Sequence, residues 1–157
     1  MEHIWAPWRM GYIMEDKPDG CIMCSKPGES EDTANLILHR SAANFVMLNA
    51  YPYNPGHLLV TPYRHVASFE ELTPDELHDH IDTIGRCVRV LRRAFDPAGF
   101  NVGANIGKVA GVGIADHVHS HVVPRWQGDV NFMSSLADSR VIPEALADTY
   151  RKLAGKF

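Results

Sequence analysis

Three histidines stand at alternate positions in His117-Val118-His119-Ser120-His121-Val122-Val123-Pro124. Alternate residues of a strand share one face. The spacing therefore predicts three imidazoles in a row, about 7 Å apart, with Val118, Ser120 and Val122 turned to the opposite face. A helix would scatter the same rings around its axis. Imidazoles titrate near neutral pH, so such a row offers metal binding, phosphate binding or nucleophilic catalysis, against the plain alternative of a histidine-rich exposed strand. A second chemical feature comes earlier in the chain. Cys21-Ile22-Met23-Cys24 has the spacing of a zinc knuckle, although two ligands do not close a tetrahedral site.

These side chains need a scaffold, and hydrophobic periodicity supplies its outline. Leu36 to His39, Phe45 to Leu48 and His57 to Thr61 read as strands, the last two joined by the turn-rich stretch Asn49 to Gly56. Regular alternation puts Met47 and Asn49 on one face of their strand, and His57 and Leu59 on one face of the next. An amide, an imidazole and two apolar surfaces then come within reach of one ligand, unless Asn49 only caps the turn. Thr73-Pro74-Asp75-Glu76 is a helix start with an N-cap, a first-position proline and a capping box. Leu77, Ile81, Ile84, Val88, Leu91 and Phe95 follow as one buried stripe, Cys87 lies beside it as a buried thiol, and Asp96-Pro97 ends it. His78 and His80 near the helix start read as solvated or structurally satisfied. Phe100 to Ile106 alternates as a strand and feeds the loop Gly107 to Gly113. Lys108 and the backbone amides of that loop, Gly111 and Gly113 among them, could receive phosphate oxygens; a tight hairpin is the other reading. The ends are an aromatic arm over residues 1–20, able to pack on the body or stack on a base, and a short C-terminal helix within 141–157. The pattern predicts a single α+β domain over 1–157, an antiparallel sheet of about five strands with one long central helix.

Composition narrows the function. The chain has 157 residues, 45% of them hydrophobic and 22% charged, and a net charge of −4. That suits a soluble globular protein and speaks against a long nucleic acid or an anionic membrane surface, leaving a small anionic ligand open. No stretch is long and apolar enough to span a bilayer, and the first residues do not read as a signal peptide. Three cysteines, two of them in one Cys-x-x-Cys, fit a reducing compartment, so a cytoplasmic location is expected.

Several metalloenzyme classes also use His-x-His. A (β/α)8 amidohydrolase needs a longer chain, a metallo-β-lactamase-like site wants an Asp soon after the second His, and a cupin wants a nearby Glu. Instead, the chain resembles the histidine triad (HIT) family, whose mark is His-φ-His-φ-His-φ-φ with φ apolar. The resemblance extends through Asn49…Pro55-Gly56-His57-Leu58-Leu59-Val60, Pro62-Tyr63-Arg64-His65, the helix from Pro74, the loop from Asn105 to Gly113 and Pro124-Arg125. Ser120 departs from φ, on the face away from the chemistry. Ile4-Trp5-Ala6-Pro7-Trp8-Arg9 and Trp126-Gln127-Gly128-Asp129…Asn131-Phe132 are similar to the diadenosine tetraphosphate phosphorylase-like subgroup.

The resemblance implies a HIT-like fold and a homodimer whose sheet continues across both subunits. It implies attack on the α-phosphate of a nucleotide, such as a dinucleoside polyphosphate, with His119 as nucleophile, His121 holding phosphate oxygens, and His117 and His57 orienting the cluster. It places Asn49 on the ribose, Met47 and Leu59 against the base, and Asn105, Lys108, Gly111, Gly113 and Trp126 around the phosphates. Galactose-1-phosphate uridylyltransferases of a related branch have Gln where His121 stands, so His favours a hydrolase or phosphorylase. Zinc-bearing members complete their site with histidines matching His65 and His117, which implies structural Zn2+ on Cys21, Cys24, His65 and His117. Val112-Gly113 departs from the Gln-Ser, Gln-Thr or Ser of many relatives and removes one hydroxyl donor. Phosphate or water is the expected acceptor, with a slight preference for phosphate. The rival readings are a nucleotide-binding sensor with little turnover and a purely structural zinc protein.

Overall fold

A computed structural model of the protein describes residues 20–110, 116–129 and 144–157. Most of the aromatic arm, Gly111 and Gly113, and the stretch 130–143 lie outside them. Five strands are present among the described residues: β1 (Ile37–Arg40), β2 (Asn44–Leu48), β3 (Leu58–Pro62), β4 (Gly99–Ala104) and β5 (Ser120–Arg125). They pair antiparallel in the order β1-β2-β3-β5-β4. The described residues also form helices α1 (Ile22–Ser25), α2 (Pro74–Phe95) and α3 (Leu146–Leu153), with short 3-10 turns at Lys26–Gly28, Phe69–Glu71 and Lys108–Ala110.

β2 and β3 are buried at every position, because the sheet is covered on both faces. On the back, Val46, Leu48, Leu58, Val60 and Val122 pack with Cys87, Val90 and Leu91 of α2 and Leu153 of α3. On the front, Ile37, Phe45, Met47 and Leu59 pack under Met23 of α1. This double cover explains why both strands read as continuous apolar runs. The predicted start of α2 is present: Thr73 Oγ1 accepts from the Glu76 N–H, and the Glu76 carboxylate accepts from the Thr73 N–H at 2.7 Å. Cys87 is buried, and burial pushes its thiol up to about 12.

Leu77, Ile84, Val88, Leu91 and Phe95 of the predicted stripe of α2 pack into the core, but Ile81 does not, and the most buried line of the helix includes residues outside the stripe. Ile81 is 66% exposed, while His80, Thr83, Cys87, Val90 and Leu91 face inward. Two polar residues lie on the inner line because His80 finds hydrogen-bond partners in the sheet, so a stripe drawn through apolar residues alone misses them.

The triad also departs from a single strand. β5 begins only at Ser120, and its ladder with β3 covers Leu58↔Val122, Leu59↔His121 and Val60↔Ser120. Further along β3 stands Pro62, which has no N–H to donate. Its carbonyl instead accepts from His117 Nε2 at 2.8 Å, while the Val118 N–H turns to the Val66 carbonyl at 2.8 Å. His117 therefore lies outside the ladder, with its ring nitrogens directed to the Pro62 carbonyl and to the two cysteines.

Candidate active site

His57 enters the site from the turn before β3 and is fully buried. Its position depends on Gly56, whose φ of +76° suits glycine and whose added Cβ would meet Leu91 Cδ2 at 3.0 Å. The Tyr53 N–H donates to His57 Nδ1 at 3.1 Å, and Asn49 Nδ2 lies 3.3 Å from the same nitrogen. A ring nitrogen that accepts cannot carry the proton of a neutral imidazole, so the proton sits on His57 Nε2. That nitrogen is 2.9 Å from His121 Nδ1, which must then accept. His121 is left with its own proton on Nε2. Burial first, then the neighbouring histidines, lower His57 to about 3, and burial followed by His119 lowers His121 to about 4. Both rings are neutral at pH 7.

His119 has the opposite tautomer. Its Nδ1–H donates to the His117 carbonyl at 2.9 Å, which leaves a lone pair on Nε2. Its ring centroid is 5.0 Å from that of His121. With one proton on the His119 ring, a nitrogen with a free pair thus stands beside an imidazole N–H donor. That pairing suits attack on a phosphorus centre whose oxygens need a donor.

His117 takes the third arrangement. With Nε2–H given to Pro62, its Nδ1 lone pair faces Cys21 Sγ at 3.3 Å and Cys24 Sγ at 3.5 Å. Cys24 Sγ is also 3.2 Å from His65 Nδ1. The four donor atoms lie within 4.8 Å of one another. Ligands at zinc bond lengths in a tetrahedron have S···N edges of about 3.5 Å, so these residues fit a tetrahedral metal ion. Burial, before the effects of His65 and His119, lowers the pKa of His117 and favours the neutral ring a metal needs.

The remaining expected residues are placed as follows. Asn49 does cap its turn, its Oδ1 accepting from the Tyr51 N–H at 2.9 Å, while its amide nitrogen reaches His57. Met47 and Leu59 are on the front face beside His121, as the register Met47↔Leu59↔His121 requires, but they are buried with Met23. Asn105 follows β4 half-buried, and Lys108 is exposed in a short 3-10 turn. The Trp126 indole N–H donates to the Phe95 carbonyl at the end of α2.

Two contributors, Tyr53 and Asn54, were not singled out in the sequence, and a third is a contact between Ser120 and His80, which were named there separately. The Tyr53 ring lies 4.6 Å from His57 and 6.0 Å from His121, centroid to centroid. Buried Asn54 donates to the Pro124 carbonyl and to Asp129, both at 2.8 Å, tying the turn before His57 to the end of β5. Behind β5, Ser120 meets His80 at 2.8 Å. The Asn-Pro-Gly run before His57 was the available signal for Asn54. Ser120 was marked as a polar departure from the family pattern, but nothing in the sequence paired it with His80.

The profile of the HIT domain matches residues 29–128. The chain belongs to the HIT family. The resemblance read from the motif and from both ends of the chain is borne out by the relatives. AP-4-A phosphorylase of Mycobacterium tuberculosis is 40% identical over 165 aligned positions, covering 100% of this chain and 85% of that protein. Bis(5'-nucleosyl)-tetraphosphatase [asymmetrical] of Schizosaccharomyces pombe is 33% identical over 93 residues, 59% of this chain and 50% of that one. A Zn-bound histidine triad family protein from Mycobacterium smegmatis has the same fold, with a TM-score of 0.70 and 25% identity over 87% of this chain and 92% of its own.

Proposed function

We propose that the protein transfers a nucleotidyl group from a dinucleoside polyphosphate to phosphate or water through a covalent intermediate on His119. One observation carries this reading: neighbouring imidazoles are held in opposite tautomers, with a free pair on His119 Nε2 and a proton on His121 Nε2. His119 Nε2 attacks the α-phosphorus, and the N–P bond forms as the anhydride P–O bond breaks. The leaving nucleoside polyphosphate takes the bond pair. His121 Nε2–H donates to a non-bridging oxygen of the α-phosphate, and His57 keeps that proton in place. An acceptor oxygen then attacks phosphorus, the P–N bond breaks, and neutral His119 returns.

The M. tuberculosis relative, named AP-4-A phosphorylase, supports inorganic phosphate as the preferred acceptor. Asn49, Met47 and Leu59 are assigned to the nucleoside, and Asn105, Lys108, Gly111, Gly113 and Trp126 to the phosphates. Cys21, Cys24, His65 and His117 are assigned to zinc, supported by the fit of their donors and by the Zn-bound relative. Cys21 and Cys24 at α1, His65 after β3 and His117 at the start of the triad would hold the ion, which would cross-link these three segments. A homodimer with a continuous sheet is supported by β4, the last strand in the sheet order, whose Val102 is 49% exposed.

Diadenosine tetraphosphate incubated with and without millimolar phosphate tests the reading. ADP and ATP formed only with phosphate are expected. AMP and ATP at a phosphate-independent rate refute the preference for phosphate, and no products under either condition refute the assigned substrate.

A further inference from the structure

Ser120 is the residue between His119 and His121, and it is polar where the family pattern has an apolar side chain. It is buried on the back face, with His80 of α2 and Asn44 of β2 buried beside it. The hydrogen bonds among them have a fixed direction. Asp79 Oδ2 accepts from Asn44 Nδ2 at 2.7 Å, from Ser41 Oγ at 2.7 Å and from the Ala43 N–H at 3.0 Å. A carboxylate only accepts, so Asn44 must turn its amide nitrogen to Asp79 and its oxygen to His80. Asn44 Oδ1 then accepts from His80 Nδ1–H at 2.7 Å. The other nitrogen of the neutral ring, Nε2, is left as an acceptor, and the Ser120 hydroxyl donates to it at 2.8 Å. Every proton in the chain Ser120–His80–Asn44–Asp79 points towards the carboxylate.

This chain does what the front of the site cannot. Residues 117–119 lie outside the ladder, held by the His117 and Val118 contacts to Pro62 and Val66. His121 is held by His57. Ser120 joins these two segments, and its hydroxyl hydrogen-bonds to the long helix at His80, between the apolar contacts of Val118 with Leu77 and of Val122 with Cys87 and Leu91.

We propose that Ser120 and His80 are positioning residues for nucleotidyl transfer, fixing the placement of His119 relative to His121 through the buried chain to Asn44 and Asp79. The inference rests on the proposed reaction, and neither residue touches substrate. A role confined to stability lowers the melting temperature and leaves the chemistry of folded enzyme untouched. A positioning role lowers the rate of the chemical step and leaves substrate binding alone.

The experiment compares wild type, Ser120→Ala and His80→Gln, each zinc-loaded and assayed well below its own melting temperature. Single-turnover nucleotidylation by diadenosine tetraphosphate should slow at least tenfold in Ser120→Ala, with KM within threefold of wild type. The double variant should be no slower than the worse single variant, because both changes cut one chain. Ser120→Ala and His80→Gln rates within twofold of wild type overturn the proposal, as does a loss confined to KM. Long-range proton–nitrogen NMR of the imidazoles gives a readout that needs no substrate. The His119 and His121 signals should shift in both variants while exposed His78 stays in place. If wild type does not turn over the dinucleotide, the proposed reaction has failed, and the NMR result alone decides the positioning role: unmoved His119 and His121 signals overturn it. If Ser120→Ala does not fold, both measurements are read on His80→Gln with the same criteria.

Discussion

Lowering the pH should unfold the protein through its buried histidines, and His80→Gln should remove a defined share of that loss. His57 and His80 are both buried, and burial lowers them to about 3 and about 4 respectively. In the unfolded chain each titrates near 6.5. A depressed folded value means the folded state refuses a proton that the unfolded state accepts. The contribution of each ring is therefore intact above the unfolded value and is lost as pH falls below it. Between pH 7 and pH 5 the loss is about 2 kcal/mol for each such histidine, about 4 kcal/mol for the pair. Gln at position 80 does not titrate, so its share disappears. Denaturant titrations of both proteins at pH 7 and pH 5, with the same excess of zinc, give the two free energies. Wild type should lose about 2 kcal/mol more than His80→Gln over that interval. Equal losses in the two proteins would show that His80 is already protonated when folded, and the orientation derived for its hydrogen-bond chain would be wrong.

Cys21→Ser combined with Cys24→Ser should abolish zinc binding, lower the melting temperature and slow turnover without touching substrate, because the His117 carbonyl holds His119. Metal analysis of the purified proteins checks it: wild type with far less than one zinc per chain refutes the assignment. Asn54→Ala removes the donor to the Pro124 carbonyl where no β3 residue reaches it, and leaves Asp129 with Arg125. A loss of about 1–3 kcal/mol in denaturant unfolding is expected, and a change under 0.5 kcal/mol would contradict the bond.

Much of this was legible because the sequence states it redundantly. The apolar runs of β2 and β3, the Thr73 capping box and the Asp96-Pro97 stop each depend on neighbours in the chain, and each element formed where expected. The four metal-ligand candidates converge from three separate stretches of the chain; Cys21 and Cys24 were marked by their spacing, His65 and His117 only by the family resemblance. What failed was anything set by a distant partner. The strand was expected to run through residue 117, and the ladder ends at Ser120, short of Pro62 on the adjacent strand. The stripe on α2 held at Leu77, Ile84, Val88, Leu91 and Phe95 but missed at Ile81, while His80 goes inward because Asn44 and Ser120 satisfy both its nitrogens. Met47 and Leu59 were expected against the base of a nucleotide, and the sequence did not show that Met23, set between the two cysteines, packs over them.

The central claim is that His119 carries the nucleotide. Wild type mixed with diadenosine tetraphosphate in the absence of phosphate, quenched in alkali within the first turnover and digested, should yield one peptide heavier by a single adenylyl group, with the modification on His119. His119→Asn should give no adduct and should lose turnover by far more than tenfold, about 1.4 kcal/mol in barrier. An adduct on another residue, or His119→Asn turning over within tenfold of wild type, would contradict the account.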